Sequence, residues 1–506
     1  QANNIARQFT PAAIAAMKQT ASDQSLPAGT TLGTNNQLAT ITRYNKEIKA
    51  AADITLTNGE VIHSGTVLTA AGSFVTDTWT PVGPTGLNGT PARAHVHTDF
   101  DQGAPSQGIN LATGQPYNLP TTITTTQAAP DTGSPDTNDP LATGEATISQ
   151  LTNGYDPIDG ASATGPTSGW TLDAATTTTS VMENTAQNQT VKTRFDARGR
   201  VLELRKPGSN GTDAGTSLKD YYAASTGAAG CSTKPEWAGL PCLVHTAETT
   251  ASKPSVKTTG YTMFLDTTQT VETMGTTTRT TDTSYLASGE EDTVTTTTTG
   301  LTGSTAVAGT KTLYDAATGE TTATLSLNSG GTETGRTSTA YDAWGRVTSY
   351  TDGSGAVTTT GYTNTGEPAT VTTPHGTTTY SYDGTDGAGK EERRGKATGM
   401  TITGAGTSGS TGTFTAGYDA AGSLTSQTMP GGITQTRDYD TTGKLTGLSY
   451  NGAVTVNGVP GTGPWITWSR SYDVIGRVAG ETTPDGIALL DNASSFARTY
   501  AYDRAS

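Results

Sequence analysis

The chain has 506 residues, 62 of them glycine, only 32% apolar residues and a formal net charge of −15. Acidic charge of this size keeps a large surface soluble and excludes the basic stripe of a nucleic-acid binder, and no apolar run approaches the roughly 18 residues of a membrane-spanning helix. Threonine runs such as "TTTTS" at Thr176 and "VTTTTTG" at Val294 supply β-branched residues that suit strands with a polar outer face. The chain is therefore read as all-β.

From the N-terminus, "FTPAAIAAMKQTASD" predicts a short helix, capped by Thr10, with Pro11 at its first position and an end near Asp23. This divides the chain into an N-terminal segment over 1–25, a β region with degenerate repeats over 26–160 and a repeat region over 161–506. Asn58-Gly59 in "TLTNGEVIHSG" predicts a hairpin turn. In "AHVHTDFDQG" a strand places His95, His97, Asp99 and Asp101 on one face, with Val96 and Phe100 on the other. His95, His97 and Asp99 form a set of nitrogen and oxygen donors able to hold a transition metal. The competing reading is a hydrophilic strand face. "QAAPDTGSPDTNDPLATGE", from Gln127 to Glu145, predicts a long exposed loop, and its acidic stretch lacks the spacing of a calcium-binding EF-hand.

Cys231 and Cys242 sit in "GCSTKPEWAGLPC". Two cysteines this close, among Gly and Pro, predict a small disulfide loop in an oxidising compartment. "GTDGAGKEE" from Gly384 matches the start of a phosphate-binding loop, but Glu391 stands where a hydroxyl is required, so a solvated loop is expected. No nucleophile elbow is present, and His63, His245 and His375 have no visible partner. Trp237, Trp465 and Trp468 are candidates for sugar stacking, against a core role. No enzyme activity and no cofactor are expected.

One short motif recurs: "FDARGRV" at Phe195, "YDAWGRV" at Tyr341, "YDAAGSL" at Tyr418, "YDTTGKL" at Tyr439 and "YDVIGRV" at Tyr472. Asp suits the first position of a type I turn, and a left-handed Gly follows it in a bulged hairpin. The turn residues are Asp196 with Gly199, Asp342 with Gly345, Asp419 with Gly422, Asp440 with Gly443, and Asp473 with Gly476. Tyr341 then faces Val347, and Asp342 faces Arg346 on the opposite side of the sheet. The same ion pair is expected for Asp196 with Arg200, Asp440 with Lys444 and Asp473 with Arg477, while Ser423 leaves Asp419 without one. "YDAATGE" at Tyr314 and "YTNTGEP" at Tyr362 are read as carrying one extra residue before Gly and are expected to turn differently, and Tyr261, Tyr285 and Tyr314 read as weaker members of the series.

These motifs resemble the YD-repeat, or Rhs-repeat, family, whose signature is Tyr-Asp-x-x-Gly-Arg/Lys-Leu/Val with a Tyr-x-Tyr-Asp lead-in, present as "YSYDG" at Tyr380 and "YAYDR" at Tyr500. "GYDPIDGASATGPTSGW" from Gly154 and the cysteine loop also resemble long secreted bacterial members. The resemblance implies antiparallel hairpins forming a long, curved or spiralling sheet, a shell of the polymorphic-toxin type around a C-terminal toxin. It implies a secreted or cell-surface location, and as partner the cargo of the same precursor. The family's self-cleaving core pattern is missing here, so core and toxin are expected outside this segment, which begins without Met and stops inside a motif. The alternative is an extracellular structural or adhesive protein or filament, self-associating through sheet edges or binding surface glycans.

Overall fold

A computed structural model describes residues 7–9, 39–82, 92–128, 145–248, 253–300, 309–405, 411–440, 442–456, 459–483 and 496–502. The predicted helix and most of the Gln127–Glu145 loop lie outside them. One antiparallel sheet of 30 strands dominates, accompanied by two small two-stranded sheets. It is a meander. Arg7–Phe9 pairs with Ala39–Tyr44, which pairs with Val75–Trp79, then Arg93–Phe100, Pro120–Ala128 and Ala146–Gly154. The order continues strand by strand to Phe496–Thr499. The two end strands do not pair with each other, so the sheet is open.

Threonine builds much of this wall. Thr280 faces Thr297 and Thr281 faces Thr296 across Thr277–Tyr285 and Glu291–Thr299, and the hydroxyls of Thr179 and Thr190 share a hydrogen bond of 2.8 Å. Such cross-strand pairs stabilise a sheet without an apolar layer. The buried apolar residues accordingly fall into small separate clusters rather than one core.

Insertions enter at hairpin ends. The Asn58-Gly59 turn joins Ile54–Thr55 to Val61–Ile62, with Gly59 at φ 87°. This small pair and a second one fill the excursion between Tyr44 and Val75, which remain partners in the main sheet. Tyr221 likewise faces Pro241 across an excursion that contains Cys231, while Cys242 stands just after Pro241 in the returning strand Pro241–Thr246.

The ribbon also returns on itself. Val474, at the tip of the Tyr472 hairpin, packs with Ala92, Ala94 and Ile148 from the N-terminal strands. Beside this contact lies a cavity of about 480 Å³ between Asp440, Lys444 and Ile475 on one side and Thr40, Val96 and Thr125 on the other. Alternation along Arg93–Phe100 puts Ala94 and Val96 on this covered face, and His95 and His97 on the opposite one.

Candidate functional site

The repeated hairpin closes as its local chemistry dictates. Gly345 adopts φ 75°, its N–H donates to the Asp342 carbonyl (3.0 Å), and the Asp342 N–H donates to the Arg346 carbonyl (2.9 Å). Tyr341 faces Val347, with a bulge between Ala340 and Tyr341. One oxygen of the Asp342 carboxylate accepts from the backbone N–H of Trp344 (2.9 Å) and of Arg346 (3.0 Å), and the other accepts from Arg346 Nε (2.8 Å). The hydrogen bond from Arg346 holds Asp342 below the usual carboxylate range. Asp thus orders the loop backbone as well as pairing with Arg.

Gly199, Gly422, Gly443 and Gly476 occupy the same left-handed position. Gly345→Val should destabilise its hairpin by about 1–3 kcal/mol, because a β-branched residue is strained there. Faster hydrogen exchange confined to 339–349 checks this, and unchanged protection would refute the turn assignment.

The Tyr362 hairpin corrects an expectation. It has the standard spacing and closes in the standard way, Tyr362 facing Pro368 and the Gly366 N–H donating to the Thr363 carbonyl (3.1 Å). Thr363 Oγ1 stands in for Asp, accepting from the Gly366 and Glu367 N–H groups at 3.1 Å each. The Tyr314 hairpin does carry an extra residue, and its Gly319 N–H reaches the Asp315 carbonyl (2.9 Å) one residue further back. The same three-residue turn also closes hairpins that have no tyrosine: at Asp352 the Gly355 N–H donates to the Asp352 carbonyl (3.0 Å). "TDGAGKE" is another, with Asp386 Oδ1 accepting from the Ala388 N–H (2.9 Å) and the Lys390 N–H (2.8 Å).

What marks the tyrosine hairpins is a staple to the hairpin before. Tyr341 Oη donates to the Thr321 carbonyl (2.8 Å), and Thr321 is the partner of Tyr314. Tyr362 donates to Val347 (2.6 Å), Tyr382 to Pro368 (2.9 Å), Tyr418 to Ala397 (2.7 Å) and Tyr439 to Leu424 (2.9 Å). Tyr472 donates to Leu445 (2.8 Å) and Tyr502 to Val478 (2.7 Å). Upstream, Tyr221 reaches Val201 (3.0 Å), Tyr261 Pro241 (2.6 Å), Tyr285 Thr267 (2.8 Å) and Tyr314 Glu291 (2.8 Å). Every acceptor is the residue facing the previous aromatic residue of the series. Tyr261, Tyr285 and Tyr314 are therefore full members, and Tyr221 is a member the motif search missed. Phe195 holds the ring position but has no hydroxyl to donate. Tyr341→Phe should cost about 0.5–1.5 kcal/mol, the usual worth of one hydrogen bond. Chemical denaturation of the single variant, with the Thr321–Tyr341 region followed by hydrogen exchange, measures it.

The basic residues serve a carboxylate and a ring at once. The Arg346 guanidinium lies 4.4 Å from the Tyr362 ring centroid, Arg200 4.4 Å from Tyr221 and Arg477 4.2 Å from Tyr502. The ion pairs are therefore not confined to a face of their own. The bulge breaks strict alternation at the strand end, and each guanidinium covers the next tyrosine. Asp196 pairs with Arg200, Asp342 with Arg346 and Asp473 with Arg477. Lys444 departs from the expected pattern. Its backbone N–H donates to Asp440 Oδ1 (3.0 Å), while its ammonium sits 5.6 Å from the Tyr472 ring. Lysine lacks the planar fork that lets Arg hold carboxylate and ring together. Asp419 accepts from the Ser423 N–H (2.8 Å).

Cys231 and Cys242 form a disulfide with Cα atoms 5.8 Å apart, both fully buried. It closes an enlarged turn of the same series. Trp237 belongs to this loop, packing against Tyr222 (5.1 Å between ring centroids) and Tyr261 (5.6 Å). Trp465 Nε1 donates to the Ala453 carbonyl (3.1 Å), and Arg470 lies 4.4 Å from the Trp468 ring. The three tryptophans do not share one platform.

His95 and His97 come together with a residue the sequence reading missed, Asp77. Its Oδ1 lies 2.9 Å from His95 Nε2 and 2.8 Å from His97 Nδ1. His95 Nδ1 faces Glu145 (2.9 Å) and His97 Nε2 faces Asp99 (3.2 Å). Burial raises the Asp77 carboxyl, but its hydrogen bonds from both imidazoles prevail and hold it well below the usual range. Burial lowers His95, and its bonds to Asp77 and Glu145 outweigh that and raise it. The bond to Asp77 raises His97. Asp101 leaves the group. It takes φ 56° after a bulge at Phe100, and its carboxylate accepts from the Asn118 N–H (2.9 Å) and the Leu119 N–H (2.8 Å).

Comparison with known proteins follows the same line. The RHS repeat family model matches residues 341–378. Among solved structures, a TcdB2-TccC3-Cdc42 complex aligns at a TM-score of 0.50 with 11% identity over 92% of this chain and 22% of that one. A TcdB2-TccC3 structure aligns at 0.49 with 12% identity over 92% and 23%. A Tc holotoxin pore of Photorhabdus luminescens aligns at 0.32 with 11% identity over 91% and 25%. This chain thus spans about a quarter or less of the length of each. No curated protein sequence matches it. The stretch 341–378 matches the RHS repeat, and hairpins closed and stapled like the one at Tyr341 run in series through one long sheet.

Proposed function

We propose that this chain is a section of the wall of a β-shell that encloses a toxin or effector carried further along the same precursor, and that its role is mechanical rather than enzymatic. The observation that carries this reading is the return contact of Val474 on Ala92, Ala94 and Ile148. A ribbon whose hairpin tips rest on its own early strands is curved like a wall, and successive passes of it can enclose a volume. The likeness in fold to the TcdB2-TccC3-Cdc42 complex supports the same reading, as does the spending of the recurrent Tyr, Asp, Gly and Arg on turns and staples. The buried disulfide fits an oxidising location, outside the cytoplasm.

Single-particle imaging of the full-length precursor tests this. A closed hollow particle with density inside is the expected result. An extended filament or an open curved sheet would overturn it in favour of a structural or adhesive surface protein.

A further inference from the structure

We propose that Asp77, His95 and His97 form a binding site for a divalent transition-metal ion of the zinc class, held by two imidazole nitrogens and one carboxylate. Among the described residues this is the one group of three such side chains whose ligand atoms all lie within 4.8 Å of one another. His95 and Asp77 are almost completely buried, at 0% and 2% exposure, and His97 nearly so at 8%.

The orientation of the rings is the stronger argument. Each imidazole turns one nitrogen inward to a common point, His95 Nε2 and His97 Nδ1, both now on Asp77 Oδ1. Each turns its other nitrogen outward to a separate carboxylate, Glu145 for His95 and Asp99 for His97. That is the arrangement in which metal-bound histidines are held, the outer carboxylate fixing ring orientation and raising ligand basicity. Glu145 is itself anchored by the Thr126 hydroxyl, and Trp79 stacks on His95 with ring centroids 4.3 Å apart. Asp99 thus becomes an orienting group rather than a ligand, and Asp77 takes its place.

A divalent ion would take His95 Nε2, His97 Nδ1 and Asp77 Oδ1 in place of the hydrogen bonds they now share. Arg43 sits 3.9 Å from Asp77 Oδ2 and 5.0 Å from the Trp79 ring centroid, and Arg93 lies buried two residues before His95 on the same strand face. Two nitrogens and one oxygen suit a borderline ion such as Zn²⁺ or Co²⁺ better than Ca²⁺ or Mg²⁺. The ion would tie Val75–Trp79 to Arg93–Phe100 on the face away from the Val474 contact.

The test is titration of the chelator-treated full chain with Co²⁺, read by visible absorption and calorimetry, followed by Zn²⁺ competition. One Co²⁺ per chain, a ligand-field spectrum with nitrogen donors and displacement by Zn²⁺ are expected. Glu145→Gln should weaken binding about 10–100-fold by loosening His95, and His97→Gln should abolish it. Because buried substitutions can unfold a strand, the deciding variant changes only the other histidines, His63→Gln, His245→Gln and His375→Gln together, and should bind as tightly as the unaltered chain. Absence of saturable binding, or its loss in that triple variant, would overturn the site.

Discussion

Val474→Asp should free the last hairpins from the N-terminal strands while leaving the hairpins themselves folded. Val474 is 7% exposed and packs on Ala92, Ala94 and Ile148. Burial of such a side chain contributes about 1.5–3 kcal/mol, and an unpaired carboxylate in its place adds a desolvation penalty of several kcal/mol. The turn it belongs to depends instead on Asp473 and Gly476, whose bonds are local. Small-angle scattering should show a larger radius of gyration, and hydrogen exchange should rise over 472–478 and 92–96 but not in the stapled hairpins between. Ala343→Asp is the matched control. Ala343 occupies the same turn position in the Tyr341 hairpin, where it is exposed, so that variant should leave shape and stability unchanged. An unaltered radius in Val474→Asp would show that the return contact does not hold the curvature.

The second large effect belongs to the disulfide. Cys231→Ser combined with Cys242→Ser should lower the stability of the 221–243 excursion by about 2–4 kcal/mol. The loop's backbone is attached at its base, where the Tyr222 N–H donates to the Leu240 carbonyl (2.8 Å) and the Gly239 N–H to the Tyr222 carbonyl (2.8 Å), and beside the bridge, where the Ala223 N–H donates to the Cys231 carbonyl (2.9 Å). The Tyr222, Trp237 and Tyr261 rings pack over the bridge, so near-ultraviolet circular dichroism should lose their signal first. With both sulfurs buried, dithiothreitol should act slowly on the folded chain and quickly in denaturant. Rapid reduction under native conditions would mean that the loop opens far more often than its packing implies.

The turn was legible because its chemistry is local. Asp, a left-handed Gly and the flanking partners lie within seven residues, and each needs only its neighbours. The hairpin series followed from that, while the all-β reading came from the threonine runs. The staples were less legible. A tyrosine hydroxyl bonded to a carbonyl about 20 residues away has no sequence mark, and the long insertion after Tyr221 concealed the return residue, Pro241. The Tyr362 hairpin was read as one residue longer before Gly, but Gly366 stands at the standard spacing, and Thr363 takes the place of Asp while the backbone stays the same. Asp77 was invisible for another reason. It meets His97 through the register of a different strand, and a motif search along one strand finds Asp99 instead. The Val474 contact joins opposite ends of the described chain, and nothing local encodes it.

The staples also have a direction. Every tyrosine of the stapled series donates backwards, to a carbonyl of the hairpin made before it, as Tyr362 does to Val347 and Tyr382 to Pro368. A chain emerging N-terminus first therefore presents each new tyrosine to an acceptor already in place. Growth of the sheet needs only short loop closures, which are the fast events in folding. The edge strand that would otherwise invite a wrong partner is occupied by the next hairpin as soon as it appears. Assembly becomes a ratchet that advances one hairpin at a time, and only the final docking of Val474 must wait until the whole ribbon has been made.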